Sequence, residues 1–494
     1  MSSITMETDQ EYNRAKLWQI GFFALNNTAT NLYMFILTFV TYYATGIAGL
    51  AVVAVSTVLT AMRIFDGITD PIVGFIVDKT ESKFGKFRPF MIIGNVILAG
   101  SILIMYNVTH LMPQSLQLIF FIFIYAIYII GYTLQTTVTK AAQTVLTNDP
   151  KQRPLYSIFD ASYNAIVFTG GQVFVASYLI AKYGDFTMSL FAELNTYAII
   201  LAGIFTILAV IGISGKDRKE FYGLAEETVN TRFRDYWPIL KKNRPLQMLI
   251  TATTFDKLAF LLIRYSVVAV MIFGILMGDY GLSGTISLIT IVPTLLITFA
   301  VVGYARKLGM RSAFIGSTWI AMFSLIALAA LFLIMNDPTT ISLGGIGIPI
   351  VIFTVLYTIA LGFGGIPSSL VNPMIADVSD YETYKTGRYI PGMLGTLFSF
   401  IDKLVTSLAP TIVGLGVAII GFGSEFPTVT DELTTPLFVM TLILAFGLPA
   451  LMLVISLTAM KFYKLDDKKM VEIQESIAEV KRKAKKEDNN SAIM

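Results

Sequence analysis

Residues 61–79 read AMRIFDGITDPIVGFIVDK, a largely apolar stretch that carries Arg63, Asp66 and Asp70. Their spacing of i, i+3 and i+7 puts all three on one face of a helix. An ionised side chain in hydrocarbon costs at least ~2.5–3.5 kcal/mol on insertion scales, so such residues face a cavity or a partner. Two carboxylates one turn apart resist double ionisation, and one of them then tends to hold a proton or a metal ion. Thr69 adds a hydroxyl oxygen, and Pro71 frees a backbone carbonyl. Hard cations take oxygen ligands of this kind. The set therefore reads as a site for Na⁺ or H⁺, with Asp66 and Asp70 as the ligands if the ion is Na⁺. A plain salt bridge from Arg63 to one acid would leave the other acid unexplained.

Three further groups have polar character inside apolar runs. Tyr132, Thr136 and Lys140 recur at i, i+4 and i+8, flanked by Thr133, Gln135 and Thr137. Ser399 and Lys403 stand at i and i+4 beside Asp402, and Asn26, Asn27, Thr28 and Asn31 cluster near the start of the chain. Asp256, Lys257 and Arg264 share a later run. Hydroxyls and amides suit hydrogen bonding to a polyol, although any single Thr or Asn serves equally well as a bond between helices. Lys140 and Lys403 each need a counter-charge.

The elements that must hold these residues are membrane helices. The chain has 494 residues, 55% hydrophobic and only 14% charged, with a mean hydropathy of +0.70. A soluble domain carries about 25% charged residues, so lipid must replace much of the wetted surface here. A spanning helix needs about 20 mostly apolar residues. Twelve candidates follow, near 18–44, 50–77, 89–107, 116–145, 156–181, 190–213, 246–276, 282–304, 313–335, 344–371, 389–421 and 435–460. Between the segments on one side (1–17, 78–88, 145–155, 214–245, 305–312, 372–388 and 461–494) lie thirty Lys and Arg, against Lys182 alone on the other side. The positive-inside rule then predicts both termini in the cytoplasm. The expected division is a cytoplasmic N-terminus 1–17, a six-helix half 18–213, a cytoplasmic loop 214–245, a second six-helix half 246–460 and a cytoplasmic tail 461–494. Basic Gly-containing turns after spans two and eight, GFIVDKTESKFGKFR from Gly74 and GYARKLGMR from Gly303, point to repeated halves. Repeated transporters place their solute site near the midplane, where the halves meet.

Composition also excludes functions. The chain has no Cys and one His, His110, in a short stretch between two apolar runs. Disulfides, thiolate chemistry and Cys/His metal sites are absent. Nothing suggests an enzyme, a cofactor beyond a coupling ion, or a nucleic-acid partner, because the basic residues track one membrane face. The N-terminal residues 1–16 lack the basic-then-apolar pattern of a secretory signal. In the tail, Met470, Ile473, Ile477 and Val480 recur at helical spacing before the basic run Lys481 to Lys486, which reads as an amphipathic helix on anionic lipid or as a solvated tail.

Two blocks carry a resemblance. One is Arg63-x-x-Asp66-x-x-x-Asp70-Pro71 followed by Asp78 and Ser82-Lys83-Phe84-Gly85-Lys86-Phe87-Arg88-Pro89. The other is Ala376-Asp377-x-x-Asp380-Tyr381-x-x-x-Lys385-x-Gly387-Arg388, then Lys403. Together they resemble the glycoside–pentoside–hexuronide:cation symporters, the melibiose permease-like branch of the major facilitator superfamily. The resemblance implies an all-α membrane fold of twelve helices in two six-helix halves, in the cell membrane. It implies a coupling cation at Asp66, Asp70 and Thr133, with Thr69 where the family has an asparagine important for sodium. Positions that bind sugar in the family fall on Asn27, Thr28, Tyr132, Thr136, Lys140, Ser399 and Lys403. Two sugar-binding carboxylates are replaced, by Thr28 and Thr136, and Lys140 replaces a tryptophan. The implied solute is a sugar or glycoside, and the gain of lysine over carboxylate points to an acidic one such as a hexuronide, or to a neutral glycoside held by hydroxyls.

The resulting expectation is symport of that solute with Na⁺ or H⁺ by alternating access, in a monomer surrounded by lipid. The cytoplasmic charges Asp78, Arg88, Asp377, Asp380 and Arg388 form candidate ion pairs of an inner gate. Gly170-Gly171 and Gly362 to Gly365 mark places for bending or for close packing. A lipid or lysolipid carrier and a non-transporting solute sensor of the same fold are the alternatives.

Overall fold

The computed structural model describes residues 13–80, 82–147, 152–218, 240–335, 337–341, 347–386, 391–466, 469–473 and 475–476. Among them the regular structure is helical. In chain order the main helices are α1 (Leu17–Leu37), α2 (Val52–Lys79), α3 (Arg88–Val108), α4 (Gln114–Ala141), α5 (Arg153–Val173) and α6 (Met188–Ile213). They continue with α7 (Arg244–Ile263), α8 (Gly281–Leu308), α9 (Met310–Ile334), α10 (Ile348–Gly364) and α11 (Ile366–Thr386). The last are α12 (Pro391–Thr406), α13 (Ala409–Ile419), α14 (Thr435–Leu442) and α15 (Leu448–Phe462).

Eleven helical stretches among the described residues are long and apolar enough to cross a membrane. The twelfth, α1 with its extension through Tyr43–Ile47, has the length but is more polar. Its Asn26, Asn27, Thr28, Thr30 and Asn31 lower its hydropathy. Elsewhere the outward faces are apolar. Along α8, Leu288, Val292, Leu296 and Phe299 are 52–71% exposed, a stripe that hydrocarbon must cover.

By contact the chain divides into two units. The first comprises Met1–Leu50, Phe65–Val175 and Phe186–Thr228, and the second Ala51–Ile64, Ala176–Asp185 and Val229–Met494. In the first, α1 packs against α6, α5 and α4, and α3 against α4. Ile20, Phe23, Val77, Met91, Val138 and Ile213, one or more from each of five helices, form its core. In the second, α7 packs against α15, α12 and α11, around a core that includes Leu249, Phe314, Val378 and Met460. Ile473 of the tail is fully buried in that core, with Met470 beside it. The rest of the predicted tail helix, with Ile477, Val480 and the Lys481 to Lys486 run, lies outside the described residues.

Of the glycines singled out in the sequence, Gly171, Gly362 and Gly364 are places of close approach, whereas a Cβ on Gly170 would meet nothing within 4 Å. A Cβ on Gly364 would fall 1.9 Å from the Phe260 ring. Only glycine lets α10 and α7 come this near.

Candidate functional site

The acidic face of α2 meets α4 through oxygen atoms. Asp66 is 2% exposed. The Thr133 hydroxyl on α4 lies 3.2 Å from Asp66 Oδ1 and 2.9 Å from Thr69 Oγ1. Thr69 in turn donates to the Asp66 carbonyl at 3.0 Å. The local cause is helical spacing: residues three apart on α2 share a face, and α4 supplies the third side chain. Asp70, one turn further on, is half-buried, and Arg63 is exposed. Each of Arg63, Asp66 and Asp70 makes a further polar or electrostatic contact. A carboxylate and two hydroxyl oxygens within hydrogen-bond reach, with a second carboxylate one turn away, form a donor set fit for a hard cation or a proton. Thr69 places its hydroxyl inside this group.

The structure puts the predicted solute residues in different surroundings. Asn27 on α1 donates to Asp160 Oδ1 on α5 at 2.7 Å. Thr28 is buried and turns its hydroxyl back to the Ala24 carbonyl at 3.3 Å. Thr136 does the same toward the Thr133 carbonyl at 3.3 Å. Tyr132 OH points at Met34 Sδ, 3.9 Å away. Lys140 is exposed, at the end of α4. In the second unit, Ser399 is exposed and Lys403 half-buried on α12. Asp402 there is held by Lys257 of α7 at 2.5 Å, so this acid has a lysine partner from another helix.

The chain matches the family profile described as MFS/sugar transport protein over residues 22–467. The chain belongs to this family. Among its relatives is the uncharacterized symporter YjmB of Bacillus subtilis (strain 168), 24% identical, with 96% of this chain and 97% of the relative covered. Another is the glucuronide carrier protein homolog of Escherichia coli (strain K12), 23% identical over 88% of this chain and 89% of the relative. The crystal structure of the nucleoside transporter NupG shares the fold, with a TM-score of 0.60 at 13% identity, covering 91% of this chain and all (100%) of the other. As an MFS sugar-transport protein the chain is a multi-pass protein of the cell membrane and a carrier rather than an enzyme.

Of the MFS chain's predicted gate residues, Arg88 is the best defined, and its partner is one that sequence reasoning missed. Asp217, 1% exposed, accepts the backbone N–H groups of Lys86, Phe87 and Arg88 at 2.9, 3.1 and 3.0 Å. Its Oδ2 also lies 3.4 Å from Arg88 Nε. The carboxylate thus caps α3 at the end where backbone N–H groups lack helical partners and the helix dipole is positive. Gly85 makes room for it: its φ is +95°, and a Cβ would stand 2.2 Å from Asp217 Oδ2. Asp377 and Asp380 are half-buried on α11, each with a further contact. The Asp78 side chain and Arg388 lie outside the described residues.

Two more acids escaped the sequence reading of roles. Asp160 lies in the predicted fifth span, and its position in an apolar run was the available signal. Asp256 on α7, noted only as a charge, is 1% exposed and accepts from Thr318 of α9 at 3.3 Å.

Proposed function

We propose that this MFS carrier moves a sugar or glycoside together with a cation, Na⁺ or H⁺, held at Asp66, Thr69 and Thr133 with Asp70 one turn on. The buried oxygen group joining α2 to α4 is the observation that supports it most. A buried carboxylate with hydroxyl oxygens beside it can hold a positive ion, and an ion drawn in by its gradient supplies the work. Bound cation raises solute affinity, and by linkage solute raises cation affinity by the same factor. Alternating access then carries both inward, with Arg88, Asp377 and Asp380 at the cytoplasmic gate. The relatives named as a symporter and as a glucuronide carrier homolog fit this reading. An acidic glycoside is the finer solute class proposed, because Lys140 stands where the resembling family has a tryptophan and Thr28 and Thr136 stand where it has carboxylates.

The test is uptake by purified protein in liposomes, against a panel of neutral glycosides and hexuronides. Each is run with a sodium gradient, with a proton gradient and with neither. Concentrative uptake of at least one pyranoside under one of the two gradients is expected. Equal uptake with and without both gradients would remove the symport reading. Counterflow of hexuronides ahead of neutral glycosides is the expected order.

A further inference from the structure

α1 and α5 are joined by a short polar ladder inside an apolar surround. Asn31 Nδ2 donates to Asn164 Oδ1 at 2.6 Å. Asn164 in turn hydrogen-bonds the Asp160 carboxylate with its own side chain. Asn27 Nδ2 reaches Asp160 Oδ1 at 2.7 Å from the α1 side. Asn27 and Asn164 thus both donate to Asp160, and the carboxylate is the end of the ladder. Asp160 sits in the long apolar stretch Leu155–Tyr183, and it is only half-buried.

From this geometry we propose that Asp160 is a specificity-determining residue that accepts hydrogen bonds from hydroxyl groups of the transported sugar.

Three alternatives fit the ladder less well. A clamp between two helices needs no charge: the Asn31–Asn164 pair one turn along already joins α1 to α5 with a neutral bond. A carboxylate in the same ladder adds the cost of a charge in hydrocarbon without adding a bond that an amide could not make. A metal site would present carbonyl oxygens beside the carboxylate, whereas Asn27 and Asn164 present N–H donors to it. An ion pair is absent among the described residues, where no Lys or Arg reaches Asp160. A carboxylate has about four acceptor positions, and two amide donors leave about two of them open. Sugar hydroxyls can fill such open positions, and their bonds to a carboxylate are short and about twice as strong as neutral ones. A site built this way rejects an analogue that lacks the hydroxyl, because the acceptor is left unpaired.

The inference deepens the sugar-carrier reading and rests on it. It is tested by counterflow in proteoliposomes with nitrophenyl pyranosides of glucose, galactose, xylose and glucuronic acid. The best of these is then compared with its monodeoxy and deoxyfluoro analogues in wild type, Asp160→Asn, Asp160→Glu and Asn31→Ala. In Asp160→Asn, affinity for the parent sugar is expected to fall about 10–100-fold. Discrimination against one deoxy analogue should also collapse to about one. Asp160→Glu, which keeps the charge but moves it, should alter which analogue is rejected. Asn31→Ala, which weakens the ladder but spares the carboxylate, should keep the wild-type discrimination. If Asp160→Asn weakens all analogues by a common factor, the residue is a helix clamp and the inference is overturned. Unchanged affinity in Asp160→Asn overturns it as well. If either Asp160 variant fails to fold, unchanged discrimination in the other is enough to overturn it. If wild type moves none of the four pyranosides, the proposed glycoside substrate class fails and takes this inference with it.

Discussion

Each unit buries an aspartate against a threonine of a neighbouring helix. Asp66 in the first unit meets Thr133 at 3.2 Å, and Asp256 in the second meets Thr318 at 3.3 Å. Both acids are almost inaccessible, at 2% and 1% exposure. Their surroundings differ in oxygen count. Around Asp66 a second hydroxyl, Thr69, closes on Thr133 at 2.9 Å, and Asp70 follows one turn along. Asp256 has the single threonine, and its Oδ1 has no hydrogen-bond partner among the described residues. A hard cation gives up a hydration shell only for several oxygens at once. One buried carboxylate makes a better cation site where neighbours multiply its oxygens, which is why the proposed coupling site is the first unit's acid.

The sharpest way to break this contrast is Asp66→Asn. Accumulation driven by the ion gradient should fall to a ratio of about 1, while solute exchange persists, because only the linkage to the cation is lost. Asp70→Asn should act in the same direction, with some solute binding retained. Concentrative uptake by either variant contradicts the assignment. Thr133→Ala is a smaller change: loss of one hydroxyl ligand should weaken cation activation about tenfold, or ~1.4 kcal/mol. The concentration of Na⁺ or H⁺ giving half-maximal uptake measures it. Asp217→Asn should leave coupling intact but lower stability by about 1–3 kcal/mol, since a buried, charge-assisted cap of α3 is weakened. A lower unfolding midpoint in detergent, with an unchanged cation requirement, is the expected reading. The smallest effect is expected at Asp256→Asn. It retains the Thr318 hydrogen bond, so cation-driven accumulation should stay within about twofold of wild type. Loss of coupling there would move the cation site, or part of it, to the second unit.

Much of this was legible in local sequence. Runs of apolar residues define the membrane helices, and i, i+3 spacing alone places Asp66 and Thr69 on one face of α2. The first helix is harder to read, because its asparagines and threonines dilute the apolar signal. Contacts between distant segments leave no such trace. Asn27 and Asp160 are 133 positions apart, and the Asp217 cap reaches 131 positions back to Lys86. No periodicity links such residues, and a helix interface decides them. Asp160 still carried a local warning, since a lone acid in an apolar run is seldom idle. Asp217 carried none: four residues past the end of α6, it resembles any other charge in a polar loop. Thr133 lies between these cases. Its stripe marked it as polar, the family resemblance gave it a cation role, and the packing of α4 on α2 brings it to Asp66.

The most direct measurement is solute affinity of the purified protein as a function of cation, in wild type and in Asp66→Asn. In wild type, saturating Na⁺, or a pH low enough to load a proton, should tighten solute binding about tenfold, a coupling of ~1.4 kcal/mol. In Asp66→Asn the protein should still bind solute, with an affinity that no longer responds to the cation. An undiminished cation response in that variant would contradict the account.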